Sequence, residues 1–107
     1  MALSEENLMV YVNGRFFLKH EAVISVFDSS FLSGDAIFEG LHIYDGKAFK
    51  LDEHLDMLFE SAQALRMNLK ITREELKKAI VDTVRKNNMM NGGYLRIQIT
   101  RTDTSND

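Results

Sequence analysis

Apolar positions along the chain follow two periods, one of two residues and one near 3.6. Met9 to Val12 and Arg15 to Lys19, the latter carrying Phe16, Phe17 and Leu18, flank the dipeptide Asn13-Gly14. That pair accepts the positive φ angles of a type I′ turn, so the pattern predicts a β-hairpin. Val23 to Phe27 reads as a third short β-rich run, and Asp28 to Asp35 (DSSFLSGD) as a polar, glycine-bearing loop around Phe31 and Leu32. Ala36 to Tyr44, a tight turn at Asp45-Gly46 and a return over Lys47 to Leu51 predict a second hairpin. In it Ile37, Leu41 and Ile43 alternate imperfectly with Glu39 and His42. Phe38 and Gly40 break the alternation, as at a bulge or where backbone approaches a ligand.

The longer period takes over after Leu51. Asp52 is placed to cap a helix whose buried face is Leu55, Leu58, Phe59, Ala62 and Leu65. Asn68 to Ile71 is a link. Thr72-Arg73-Glu74-Glu75 then has the capping-box form, in which hydroxyl and carboxylate each satisfy a backbone donor of the other residue. Leu76, Ala79, Ile80 and Val84 make the buried face of a second helix, expected to end near Asn91-Gly92-Gly93. Tyr94 to Arg101 alternates Leu95, Ile97 and Ile99 with Arg96, Gln98 and Arg101, a half-buried strand. The order strands, helix, helix, strand predicts an α+β fold with a mainly antiparallel sheet covered by two helices, as a single domain over residues 1–107.

Composition narrows the function classes. The 107 residues carry 13 Lys plus Arg against 16 Asp plus Glu, and 45% of them are hydrophobic. Both fractions are those of a folded globular chain, and a core of this size needs no disulfide or metal staple. A net charge of -3 with scattered cations gives no footprint for nucleic acid or an anionic membrane. No stretch approaches the roughly 18 apolar residues of a membrane span. The opening MALSEENLMVYVNG lacks the basic region and long apolar run of a signal peptide, so a cytoplasmic location is expected. The absence of Cys removes thiolate zinc sites and thiol nucleophiles.

Little chemistry stands out from residue types alone. His20 and His54 are isolated in sequence, and His42 has no carboxylate or His at ligand spacing, so a metal centre is not expected. Ser29, Ser30 and Ser33 sit in a loop without a nucleophile elbow and read as turn and cap residues. Glu53, Asp56 and Glu60 fall on the solvated face of the first helix. Met57 is an oddity of that helix, lying far from the apolar stripe beside Ser61 and Ala64. Tyr94 and Arg96, two apart on a strand, project to one face. Together they offer either a solvated surface or a carboxylate platform, since Arg supplies forked donors and Tyr a directional one.

The order of these motifs carries a resemblance. VFDSSFLSGDAIFEGLHIYDGKAFKLDEHLDMLFESAQAL, followed about thirty residues later by NGGYLRIQITR, resembles the amino-terminal domain of the class IV, pyridoxal-phosphate-dependent aminotransferases. The similarity runs from Tyr11 to Arg101. It implies a homodimeric, two-domain enzyme of nearly three times this length, with pyridoxal 5′-phosphate between the domains and small amino acids and 2-oxo acids as partners. The lysine that carries the cofactor is implied in a second domain that this chain does not include, so the resemblance assigns no catalytic residue here, and the chain alone is expected to be inactive. Phe38 and Gly40 of IFEG match the strand that lines the side-chain pocket in the branched-chain group. Tyr94 and Arg96 match that group's Tyr-x-Arg, which orients the substrate carboxylate.

Three positions depart from the family pattern. The family helix reads His-x-x-Arg-Leu, its Arg contacting the cofactor phosphate, where this chain has His54-Leu55-Asp56-Met57-Leu58. Met57 is therefore the cofactor-binding position by resemblance, occupied by a side chain that cannot donate a charge-assisted hydrogen bond. Ser33 stands where the branched-chain group commonly has Tyr, and His42 where it has Arg. The leading expectation is the recognition domain of a branched-chain-like transaminase. Its rivals are a D-amino acid aminotransferase, the aminodeoxychorismate lyase of the same family, or a truncated, non-catalytic dimerisation or scaffold domain.

Overall fold

The computed structural model describes residues 5–101. Strand β1 (Met9–Val12) pairs antiparallel with β2 (Arg15–Leu18), from Met9 opposite Leu18 to Val12 opposite Arg15. Asn13 and Gly14 both take positive φ, 49° and 91°, as the type I′ turn requires. A short helix α1 (Ser29–Ser33) precedes β3 (Ala36–Tyr44), which turns at Asp45-Gly46 into β4 (Lys47–Ala48). Helices α2 (Leu51–Ala64) and α3 (Arg73–Lys86) follow, then β5 (Gly93–Thr100). The second sheet has the order β4-β3-β5, with Ile43 opposite Ala48 and Tyr44 opposite Lys47 in antiparallel register. The α+β architecture with antiparallel pairing is the one the sequence pattern predicts.

The backbone clusters as two compact units. The first holds the residues up to Val23, His42–Phe49 and Ile71–Tyr94. Its core is Ile43 with the predicted face of α3, Leu76, Ala79, Ile80 and Val84, all buried, and α3 packs on β1 and β4. The second holds Ile24–Leu41, Lys50–Lys70 and the chain from Leu95 onward. Its core is Ile37, Leu41, Leu55, Leu58, Ala62, Met67 and Ile97. Leu41, Leu55 and Leu58 are fully buried, each contributing about 1.5–3 kcal/mol of transfer free energy.

Several local expectations are corrected. Val23 to Phe27 forms no strand: it is irregular and then a turn, with Val23, Ile24, Val26 and Phe27 exposed, and no strand among the described residues pairs with it. The predicted loop after it contains α1, capped by Asp28, whose side chain accepts from the Ser30 backbone N–H, and closed by Gly34 at φ 67°. Ser30 and Ser33 hydroxyls bond within this turn and the Ser29 hydroxyl donates to the Asp35 carbonyl, the cap and turn roles expected of them. The return strand of the second hairpin is two residues long because Lys50 takes left-handed backbone, φ 54°, and α2 starts at Leu51. Asp52 is thus in the first turn, favourable for the helix dipole, and Lys50 holds the cap position instead.

Both long helices end in Schellman motifs without glycine. At α2, Arg66 (φ 53°) donates to the Gln63 carbonyl and Met67 to the Ala62 carbonyl, which buries Met67 and leaves Leu65 exposed, against its predicted place in the core. At α3, Asn88 (φ 50°) donates to Arg85 and Met89 to Val84, so the helix stops at Lys86 rather than near Asn91. Asn87 is buried, and its side-chain amide both accepts from Met9 N–H at 2.8 Å and donates to the Met9 carbonyl at 3.0 Å, completing the hydrogen bonding of β1 there. The Asn91 side chain and the Gly92 N–H serve the second hairpin, bonding Asp45 N–H and the Ile43 carbonyl.

The capping box of α3 forms as predicted: Glu75 N–H donates to Thr72 Oγ1, and Thr72 N–H to Glu75 Oε1, each at 3.1 Å. Hydrogen bonds to the carboxylate from the Thr72 backbone N–H, the larger cause, and from the Thr72 side chain hold the Glu75 carboxyl below the ordinary value of 4.5. A depressed folded value gives stability that is present above the unfolded value and lost as pH falls through the folded one. Glu75→Ala is therefore expected to lower the melting temperature at neutral pH and to lose that effect at acid pH, once the carboxyl is protonated in both states. A melting-temperature difference that persists undiminished in acid would refute this account of the cap.

Candidate functional site

β3 keeps a strict two-residue period. Ile37, Leu41 and Ile43 point inward and are buried, while Phe38, His42 and Tyr44 are exposed on the other face, with Gly40 between them and bearing no side chain. The bulge suggested by the sequence is absent. What broke the pattern is Glu39, a charged residue on the inward face, and it is matched by His54 of α2, whose Nδ1 donates to Glu39 Oε1 at 2.7 Å. Both side chains are largely shielded. His54 is therefore not isolated: fifteen residues of separation in sequence hid its partner.

β5 alternates as predicted. Tyr94, Arg96 and Gln98 are exposed on one face, Leu95, Ile97 and Ile99 lie on the other, and Ile97 is buried. The Arg96 guanidinium carbon stands 4.1 Å from the centroid of the Phe38 ring, and Arg96 Nε donates to Gln98 Oε1 at 3.2 Å. Stacking and this bond hold the fork while its two terminal nitrogens keep their donors. Phe38 and Arg96, chosen separately from the sequence, are thus in contact, and Gln98 joins them unforeseen. Tyr94 meets His42, which has no carboxylate or His at ligand spacing in the sequence: the His42 ring lies edge-on to it, with centroids 5.5 Å apart and planes at 64°.

Arg101, expected as one more solvated strand residue, is a tether. Its guanidinium donates to the Asp35 carboxylate and to the Leu65 and Arg66 carbonyls at the end of α2, and its backbone N–H donates to the Ser29 hydroxyl. Thr100 donates to the buried Asp28 carboxylate. Strand end, α1 and the C terminus of α2 are thereby fixed together.

Met57 is 52% exposed on α2. Its neighbours Ser61 and Ala64 are exposed as well, and so are Glu53, Asp56 and Glu60, as their periodicity predicts. Among the described residues no hydrogen bond, ion pair or ring contact joins Met57 to Phe38, Tyr94 or Arg96. A thioether is a weak acceptor and no donor, and the imidazole one turn earlier is engaged by Glu39. This stretch of α2 therefore does not fit a phosphate. No group of His and acidic side chains among the described residues is arranged to hold a metal ion, and no helix is long and apolar enough to cross a membrane.

Comparison with known proteins places these features in a family. Residues 36–107 match the model of amino-transferase class IV. Branched-chain-amino-acid aminotransferase-like protein 2 of Arabidopsis thaliana is 46% identical over 94 residues, covering 88% of this chain and 17% of that protein. D-alanine aminotransferase of Staphylococcus haemolyticus is 38% identical over 92 residues, covering 86% of this chain and 32% of its own. The crystal structure of the branched-chain aminotransferase from the thermophilic archaeon Thermoproteus uzoniensis, with norvaline, superposes with a TM-score of 0.78 at 32% identity. That match covers 94% of this chain and 36% of the other. The chain spans a third or less of the length of the curated relatives it matches.

The Glu39–His54 pair yields a test of its own. A double-mutant cycle of Glu39→Gln and His54→Gln is expected to give a coupling of about 0.5–1 kcal/mol at neutral pH, the range for a partly solvated pair. Additive losses in denaturant unfolding would show that the two side chains do not support each other.

Proposed function

The chain belongs to the class IV aminotransferases, and we propose that it is the substrate-recognition domain of one that moves an amino group between a branched-chain-like amino acid and a 2-oxo acid. The observation that carries this reading is the outward face of β5, with the Tyr94 hydroxyl and the Arg96 fork, the latter seated on Phe38. The guanidinium supplies two parallel donors matched to the two oxygens of a carboxylate. Phe38 holds the guanidinium plane and adds apolar surface for an aliphatic side chain, with bare backbone at Gly40 two residues on. An amino acid and its 2-oxo acid share their carboxylate and side chain and differ only at C2. One recognition face therefore serves both halves of the exchange, which is the economy a transaminase needs.

The branched-chain-like relative supports the choice of side-chain class, and the D-alanine relative supports a second reading, a D-amino acid enzyme. The same proposal includes pyridoxal 5′-phosphate as cofactor, a homodimer, and a cofactor-bearing lysine supplied outside these residues. With Met57 on α2, phosphate binding falls to groups beyond this domain. The 107-residue chain itself is proposed to bind carboxylates without turning them over.

Two measurements test this. Arg96→Lys keeps the charge and removes the fork, so it is expected to weaken binding of 4-methyl-2-oxopentanoate about tenfold in an NMR titration of the chain. An unchanged dissociation constant would remove Arg96 from the recognition face. Met57→Arg is expected to create measurable affinity for pyridoxamine 5′-phosphate, a probe that cannot condense with surface lysines. If calorimetry detects no gain, the Met57 position does not face the phosphate.

A further inference from the structure

We infer that His42 is a further carboxylate-binding residue of the exposed strand face, acting as its imidazolium beside the Tyr94 hydroxyl. The inference rests on the reading of Tyr94 and Arg96 as a carboxylate-recognition face and adds to it a residue and a pH dependence. His42 projects outward from β3, with the Tyr94 ring 5.5 Å away and the Tyr44 ring 6.5 Å away. Two phenol rings thus hold the imidazole in place. No hydrogen bond among the described residues engages the nitrogens of His42 or the hydroxyl of Tyr94, so donors on both remain available to a ligand.

The charges around His42 favour an external anion. Facing it are Tyr44 on its own strand, Tyr94 on β5, Lys47, which pairs with Tyr44 from β4, and Phe49, whose backbone N–H donates to the His42 carbonyl at 2.8 Å. No carboxylate pairs with it among the described residues. His54 makes the contrast within the same chain, since its ring donates to Glu39. An imidazolium at His42 therefore lacks an internal counter-ion and stands next to a second unsatisfied donor. A carboxylate accepts from both, one oxygen to each. The Tyr44 and Phe49 rings, in edge contact at 5.5 Å, give apolar ground for the body of the ligand. The ligand class that fits is a small aliphatic carboxylate.

The sign of the pH dependence follows from linkage. A ligand that binds the protonated ring better than the neutral one is held most tightly where the ring is protonated and is released as pH rises and the proton leaves, and in return a bound carboxylate favours the protonated ring.

The experiment titrates 4-methylpentanoate into the 107-residue chain at about pH 5.5 and at about pH 8, following amide and His ring signals by NMR, with 4-methylpentanamide as the neutral control. Binding is expected to be about threefold to fivefold tighter at the lower pH, the gain of one solvent-exposed ion pair, and the His42 ring midpoint to rise at saturation. His42→Gln, which keeps the folded amide fingerprint, is expected to bind with one affinity at both pH values, and the amide to show no pH dependence. Equal affinities for the acid at both pH values in the wild-type chain, or a pH dependence retained in His42→Gln, would overturn the role of His42 while leaving the Tyr94 and Arg96 face in place. No binding of the acid at either pH would overturn both.

Discussion

The unbroken two-residue period of β3 is the constraint on which the rest depends. A strand presents successive side chains to opposite faces, so fixing Ile37, Leu41 and Ile43 in the interior commits Phe38, His42 and Tyr44 to the outside. A slip of one residue would bury an imidazole and a phenol and expose the core. Glu39 is the one position where the interior face carries a charge, and the contact with His54 lets the strand keep its register there without a bulge. The same period on β5 buries Ile97 and turns Tyr94 and Arg96 outward. The outward face is thus a by-product of core burial on the opposite side of each strand.

Polar groups show a division of labour that follows from their partners. Asp28, Ser29 and Asn87 are buried, and each is saturated: Asp28 caps α1 and receives Thr100, Ser29 bridges Asp35 and Arg101, and Asn87 completes the hydrogen bonding of β1. No buried side-chain nitrogen or oxygen among the described residues lacks a partner. Among the described residues, donors on the outward face stay open at Tyr94, at His42 and at the terminal nitrogens of Arg96. A shielded polar atom without a partner costs about 1–3 kcal/mol, whereas an exposed one is satisfied by water and can exchange that water for a ligand. Structure and function therefore draw on different halves of the polar inventory.

What was readable in the sequence were features written within a few residues of each other. The Asn13-Gly14 and Asp45-Gly46 turns, the Thr72–Glu75 box and the apolar faces of α2 and α3 rest on contacts of short range, and they form. Phe38, Tyr94 and Arg96 were visible as residue types at strand spacing, but the stacking of Arg96 on Phe38 joins positions 58 apart in number and has no local signature. Glu39 with His54, and Arg101 with Asp35, escaped for the same reason. Where sequence reasoning erred, a long-range choice overrode a local preference. Val23 to Phe27 has strand composition but no ladder to join, and Asn91 and Gly92, suited to a helix end, serve the second hairpin while Asn88 ends α3.

The sequence by itself determined the periods, and hence the fold class, the two helix faces and which side of β5 would carry Tyr94 and Arg96, because burial of apolar side chains at fixed spacing leaves few alternatives. Its motif order also indicated the family. Only the tertiary structure decided which polar residues are consumed in holding the fold and which stay free to bind. His54 and His42 are the same residue type in the same chain, one matched by Glu39 and the other set edge-on to Tyr94. That difference is a matter of what the folded backbone brings within hydrogen-bonding distance, and no local pattern in the chain encodes it.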